Sequence, residues 1–140
     1  MSLPKLIKNY LTVRGILNDD WQGYVGKMPD NNFVSDNAVA IIETPATLAD
    51  SDSAYISDGI PLLTGGIKIV VRGIDHKQTM LYFEKLCREL DLVTNVELVD
   101  DDGKLTTIQT CRRQGGIQYM GYCGSNRRHL ASITYAVTLV

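Results

Sequence analysis

The chain has 140 residues, 44% hydrophobic and 21% charged, with a formal net charge of −2. That length holds one domain whose core needs no metal or disulfide scaffold. The slight acidity argues against a generic nucleic-acid binder, which is clearly basic, and three scattered cysteines (Cys87, Cys111, Cys123) do not make a secreted disulfide framework.

The first residues, MSLPKLIKNYL, are too polar for a signal-peptide core. No stretch approaches the roughly 18–20 apolar residues of a membrane span. A reducing cytoplasm is the expected compartment, and no membrane is expected as a partner. From Ser2 to about Leu17 the pattern is helical. Ser2 is a candidate N-cap, Pro4 lies in the first turn, and Leu3, Leu6, Ile7, Tyr10 and Leu11 share one face. Asn18-Asp19-Asp20 is the expected stop.

Residues 18–38 are rich in Asn, Asp and Gly and read as an extended connector, with Trp21, Tyr24 and Phe33 as anchors. Val39 to Thr44 is a compact apolar run before Pro45 and predicts a strand. Residues 45–64 follow no period. A loop of about 20 residues inside a compact domain is usually functional or disordered. This one carries Tyr55, Ile56, Ile60, Leu62 and Leu63, so it either folds back on its own core or orders against a partner.

Ile67 to Arg72 alternates as a strand with one buried face. Gly73-Ile74 turns the corner, Asp75 is the N-cap of a helix, and Gln78 completes a capping-box pattern. Met80, Phe83, Cys87 and Leu90 mark the apolar face, with Leu86 beside them. Cys87 is expected in the core, and His76 on the surface of the first turn. Val96 to Val99 predicts a short strand before the acidic turn Asp100-Asp101-Asp102-Gly103. Leu105 to Cys111, Ile117 to Cys123 and Leu130 to Leu139 predict a meander, with turns at Gln114-Gly115-Gly116 and Gly124-Ser125-Asn126. The expected fold is α+β, one domain over residues 1–140, with helices on one face of a mixed or antiparallel sheet.

Catalytic and cofactor motifs are missing from the sequence. Neither a Walker-type nor a dinucleotide-binding glycine pattern occurs. Cys111, Cys123 and His129 match no compact metal-ligand spacing. The acidic turn lacks the alternating ligands and distal Glu of a calcium loop. The reading is therefore a protein that is not an enzyme, with no cofactor and no metal.

Charge is unevenly spread. Residues 1–66 hold four bases and eight acids, net −4; residues 67–140 hold ten bases and eight acids, net +2. Such asymmetry suits stacking between subunits, and ordinary solvated charge accounts for it equally. The pairs Arg112-Arg113 and Arg127-Arg128 flank a strand of about seven residues, which puts them roughly 20 Å apart or more. They suit contacts to acidic neighbours, or are solvated strand ends.

The segment GGIKIVVRGIDHKQTMLYFEKLCREL resembles the strand-and-helix element of tailed-phage tail terminator proteins, a family that includes minor capsid and tail completion proteins. The matching residues are Ile67, Ile69, Val71 and Arg72, then Met80, Phe83, Leu86 and Leu90. The N-terminal helix, the VAIIET strand, the Pro61 loop and the last strand occur in the order the resemblance requires. The resemblance implies a virion protein that forms a homo-hexameric ring on the tail-tube protein. It stops tube polymerisation and presents a surface to the head-completion or connector protein in the neck. DNA passes through such a ring without specific binding, and assembly takes place in the host cytoplasm. On that reading the contact residues are Asp50, Asp52, Tyr55, Ile56, Asp58, Leu62 and Leu63, with Arg112, Arg113, Gly115 at a hairpin tip, Arg127 and Arg128. Asp100, Asp101 and Asp102 are candidates for an acidic lumen. The alternatives are another neck or head-completion connector, or a small nucleic-acid-binding α+β module.

Overall fold

The structure is a computed structural model that describes residues 2–27, 36–44, 63–100, 102–123 and 128–139. Two helices, α1 (Leu3–Val13) and α2 (His76–Asp91), accompany seven strands: β1 (Gln22–Val25), β2 (Ala38–Thr44), β3 (Leu63–Gly73), β4 (Thr94–Val99), β5 (Leu105–Arg113), β6 (Gln118–Cys123) and β7 (Arg128–Leu139). The fold is α+β. The sheet runs β1-β2-β3-β7-β5-β4, with β6 also on β7. Only β1–β2 is parallel among these pairs.

Ser2 caps α1, its hydroxyl accepting from the Lys5 amide at 3.4 Å, and Leu6, Ile7, Tyr10 and Leu11 are buried. The helix stops at Val13, short of the expected Leu17. Gly15 takes φ +75°, its amide bonds to Thr12 O at 3.0 Å, and the Ile16 amide bonds to Leu11 O at 2.9 Å. This Schellman closure uses a residue that tolerates the left-handed region, and Ile16 then packs with Leu11 in the core. Asn18 does not stop the helix. Its Oδ1 accepts from the Asp20 and Trp21 amides and turns the chain into β1.

The expected connector is thus partly a strand. Gln22–Val25 pairs with Ala38–Ile41 of β2. Its only apolar residue of strand type besides Tyr24 is Val25, so the β2 ladder, not an alternating pattern, makes it a strand. Trp21 does serve as an anchor, stacked on Tyr82 with ring centroids 3.9 Å apart and planes 4° from parallel. The Tyr82 hydroxyl donates to Ile16 O at 2.6 Å. The Tyr24 hydroxyl donates to Gln22 Oε1 at 3.0 Å, and Phe33 lies outside the described residues. So do Asp50, Asp52, Tyr55, Ile56, Asp58 and Leu62 of the expected loop; Leu63 and Thr64 begin β3.

β3 is longer than expected and pairs along its whole length with β7, from Leu63 opposite Leu139 to Gly73 opposite His129. Ile67, Ile69 and Val71 lie across from Tyr135, Ile133 and Ala131. Cross-strand partners point to the same side, so these six, with Val39, Ile41, Ile108, Cys111 and Val137, make one buried face. α1 covers the β1–β2–β3 half of it and α2 the β3–β7–β5 half. Phe83, Leu86, Cys87 and Leu90 of α2 are fully buried there. Removing each of the larger side chains from water contributes about 1.5–3 kcal/mol.

Asp75 caps α2 as expected, its carboxylate accepting from the Lys77 amide at 2.9 Å and the Gln78 amide at 3.4 Å. β3 meets this first turn closely. A Cβ on Gly73 would overlap Thr79 Oγ1, which donates to Asp75 O. β4 starts two residues before the expected Val96, because Asn95 adopts φ 50° and lets Thr94 pair with Thr110.

The expected meander is replaced by another arrangement. β5 and β6 do not pair with each other; both are antiparallel to β7, along its edge away from β3. Ile108 to Arg113 lie opposite Leu139 to Tyr135, and Gln118 to Cys123 lie opposite Ser132 to Arg128. The Gln114 amide still reaches Thr134 O at 2.8 Å. Gly115 and Gly116 therefore sit at a break in one long edge ribbon and form no hairpin tip. No helix among the described residues is long and apolar enough to cross a membrane.

Candidate interaction surface

The arginines expected to face a partner have different fates. Arg113 lies opposite Tyr135 on the helix side of the sheet and grips Asp91 at the end of α2. That bond raises the Arg113 pKa, against a smaller lowering by burial. The Tyr135 hydroxyl also donates to Asp91 and to Cys87 O. Arg113 thus ties α2 to the sheet. Arg128 is buried on the other face, its Nε and Nη2 at 2.9 and 2.8 Å from Asp36 Oδ1. Arg72 reaches Asp36 O at 3.3 Å, so one short segment gathers two buried guanidinium groups from adjacent strands. Both arginines bond within the chain.

Arg112 differs. It is exposed, lies opposite Ala136, and forms no ion pair among the described residues. Gly115 is exposed beside it. Arg127 and Asp101 lie outside the described residues. The Asp100 carboxylate accepts from the Asp102 and Lys104 amides, both at 2.9 Å, and so holds the β4–β5 turn; Asp102 is exposed.

The surface that sequence reasoning missed is on β6. Among the described residues β6 pairs only with β7, and no described strand pairs with its other edge. Tyr119, Met120 and Tyr122 are 46%, 52% and 50% exposed. The chain's two histidines converge here: His76 from α2 and His129 from β7 have ring centroids 5.2 Å apart. Tyr119 bonds His129 Nδ1 at 2.6 Å and lies edge-on to His76, while Tyr122 packs on His129. His76 is on the surface, as expected. In the sequence Tyr119 and Tyr122 lie between the two Arg pairs. Their meeting with His76 depends on a β6–β7–α2 geometry that no local pattern encodes.

The Cys87 and Cys111 thiols are poorly set up as nucleophiles. Burial, with Asp91 nearby, pushes Cys111 up to about 12, and burial raises Cys87 as well. Thiolate chemistry needs the opposite shift. Cys111 faces the core opposite Val137, far along β7 from His129, and no group of three or more His, Cys, Asp or Glu suited to a metal occurs among the described residues. Neither a protein-family model nor a curated protein matches this chain.

Proposed function

We propose that this protein is a structural virion component of a tailed phage, a tail terminator that assembles as a ring on the tail tube. The ring stops tube growth and joins the tail to the head. The resemblance of residues 65–90 supplies the family. The observation that carries the assembly reading is the β6 edge, unpaired among the described residues, with three large, half-exposed side chains. Tyrosine and methionine are enriched at protein interfaces, where rigid aromatic anchors carry much of the energy, and an unpaired strand edge offers a ready hydrogen-bonding template. A ring requires a head-to-tail contact that closes, and such an edge is suitable material for one half of it. Its work is capping by shape and charge.

The test is electron microscopy of particles assembled without this protein. Abnormally long tubes, or tails detached from heads, are the expected result. Normal virions would refute termination. A strictly monomeric protein whose DNA affinity falls steeply with salt would instead favour a nucleic-acid module.

A further inference from the structure

The break between β5 and β6 opens a small polar cavity of about 130 Å³ on the sheet face opposite the helices. Lys68, Gln114, Gly116, Gln118, Ser132 and Thr134 line it. Its position follows from register. Lys68 of β3 lies across from Thr134 of β7, and Gln118 of β6 lies across from Ser132. Between the Gln114–Thr134 bond and the Gln118–Ser132 pair, residues 115–117 leave the ladder. Space remains where side chains of a continuous strand would stand. A Cβ added at Gly116 would meet nothing within 4 Å.

The chemistry of the lining is one-sided. Among the described residues it carries one ammonium, two hydroxyls and two primary amides, and no carboxylate. Ser132 at the floor is only 4% exposed. Lys68 is half-buried in the middle of the sheet, yet it forms no ion pair among the described residues. The two carboxylates that meet cations from β5 and β7, Asp91 and Asp36, are held by Arg113 and Arg128. Arg112, opposite Ala136, is two residues along β7 from Thr134 and so projects on the same face. It is exposed, forms no ion pair among the described residues, and adds a second positive charge on that face. A partly desolvated charge without a partner is costly, and charge-assisted hydrogen bonds to an anion offset that cost. The volume suits a group of a few heavy atoms, since one water takes about 30 Å³.

We infer that this pocket is an oxyanion-binding site, built to take one phosphate or carboxylate group. Lys68 is its charge partner, and Gln118, Ser132 and Thr134 supply neutral hydrogen bonds. The site is independent of the terminator reading, and its failure would leave that reading untouched.

The test is a ¹H–¹⁵N NMR titration of the full chain with inorganic phosphate and, separately, with acetate, at constant ionic strength in chloride. Saturable shifts are expected at the amides of Gln118, Ser132 and Thr134. The probe with the tighter saturation identifies the class, tetrahedral phosphate or planar carboxylate. Lys68→Met should weaken binding at least tenfold, and Lys104→Met, an exposed lysine outside the pocket, should leave it unchanged. If Lys68→Met does not fold, Gln118→Leu serves instead, with a loss of several-fold. Linear shifts without saturation for both probes, or equal affinity in wild type and the pocket variant, would overturn the proposal.

Discussion

Arg113 closes on Asp91 with two hydrogen bonds side by side, Nε to Oδ1 at 3.0 Å and Nη2 to Oδ2 at 2.6 Å. The same carboxylate accepts from the buried Tyr135 hydroxyl at 3.0 Å. One carboxylate at the end of α2 therefore fixes that helix to both β5 and β7. The two partners are not equivalent. The Arg113 and Asp91 side chains are more than a third exposed, so solvent screens the ion pair and its loss costs about 1 kcal/mol. Asp91→Ala also removes the shorter of two bonds from a buried phenol, leaving it only Cys87 O at 3.3 Å, which adds about 1 kcal/mol. Urea denaturation should rank Asp91→Ala as clearly worse than Arg113→Ala. Equal losses would mean that the Tyr135 bond contributes nothing.

Alkaline pH should expose the buried thiols. The Cys111 pKa rises from 9.0 to about 12 in the folded chain, and Cys87 moves the same way. Between about pH 9 and 12 the unfolded chain releases a proton that the native chain keeps. The unfolded state then binds fewer protons, so stability falls as pH rises. It is unaffected by these groups below pH 9. Burial also raises Tyr82 and Tyr135 above 10.0, which steepens the fall beyond pH 10. Cys111→Ala should flatten the slope of unfolding free energy against pH between 9 and 10. An unchanged slope would contradict the assigned shift.

The corner between β3 and α2 allows no side chain at its glycine. Gly73→Ala would drive a methyl group into Thr79 Oγ1 and disturb the bond that Thr79 gives to Asp75 O. Overpacking of this kind costs about 1–3 kcal/mol. Adding Thr79→Ala should recover part of the loss, because it removes the atom in the way. Thermal melts of the single and double variants check this; a Gly73→Ala protein as stable as wild type would show that the corner opens freely.

How legible this fold was in the sequence depends on how far apart the deciding residues are. The Asp75 cap and the apolar face of α2 are set within a few residues, and both are where the pattern placed them. The helix-ending Gly15 was equally local, but a run of Asn and Asp downstream offered a stronger-looking stop. β1 exists because β2 supplies its hydrogen bonds, and Gln22-Gly23-Tyr24-Val25 carries no periodic signal of its own. Gly115-Gly116 suits a hairpin turn or a break in a ribbon equally well; only the register of β7 separates the two. The surface was the least legible part. Arg113 and Arg128 read as contacts to acidic neighbours or solvated strand ends because Asp91 and Asp36 are distant in sequence, and nothing in the alternating run from Ile67 to Arg72 set Lys68 apart.

The β6 edge makes the assembly reading testable without a virion. Tyr119 and Tyr122 are about half exposed and bond only at the surface, so replacing both with Ser should change monomer stability by less than about 1 kcal/mol. If they anchor a subunit contact, the loss of two aromatic side chains from an interface costs far more, because such anchors contribute about 2 kcal/mol or more each. Mass measured in solution, with and without tail-tube protein, should show that the double variant stays monomeric where the wild type forms rings. Leu81→Ser is the control. Leu81 is 57% exposed on α2 and outside the β6 cluster, so its loss should leave assembly intact. Should the Tyr119/Tyr122 variant form rings like the wild type, β6 is not the contact edge, and the assembly reading loses the observation that carries it.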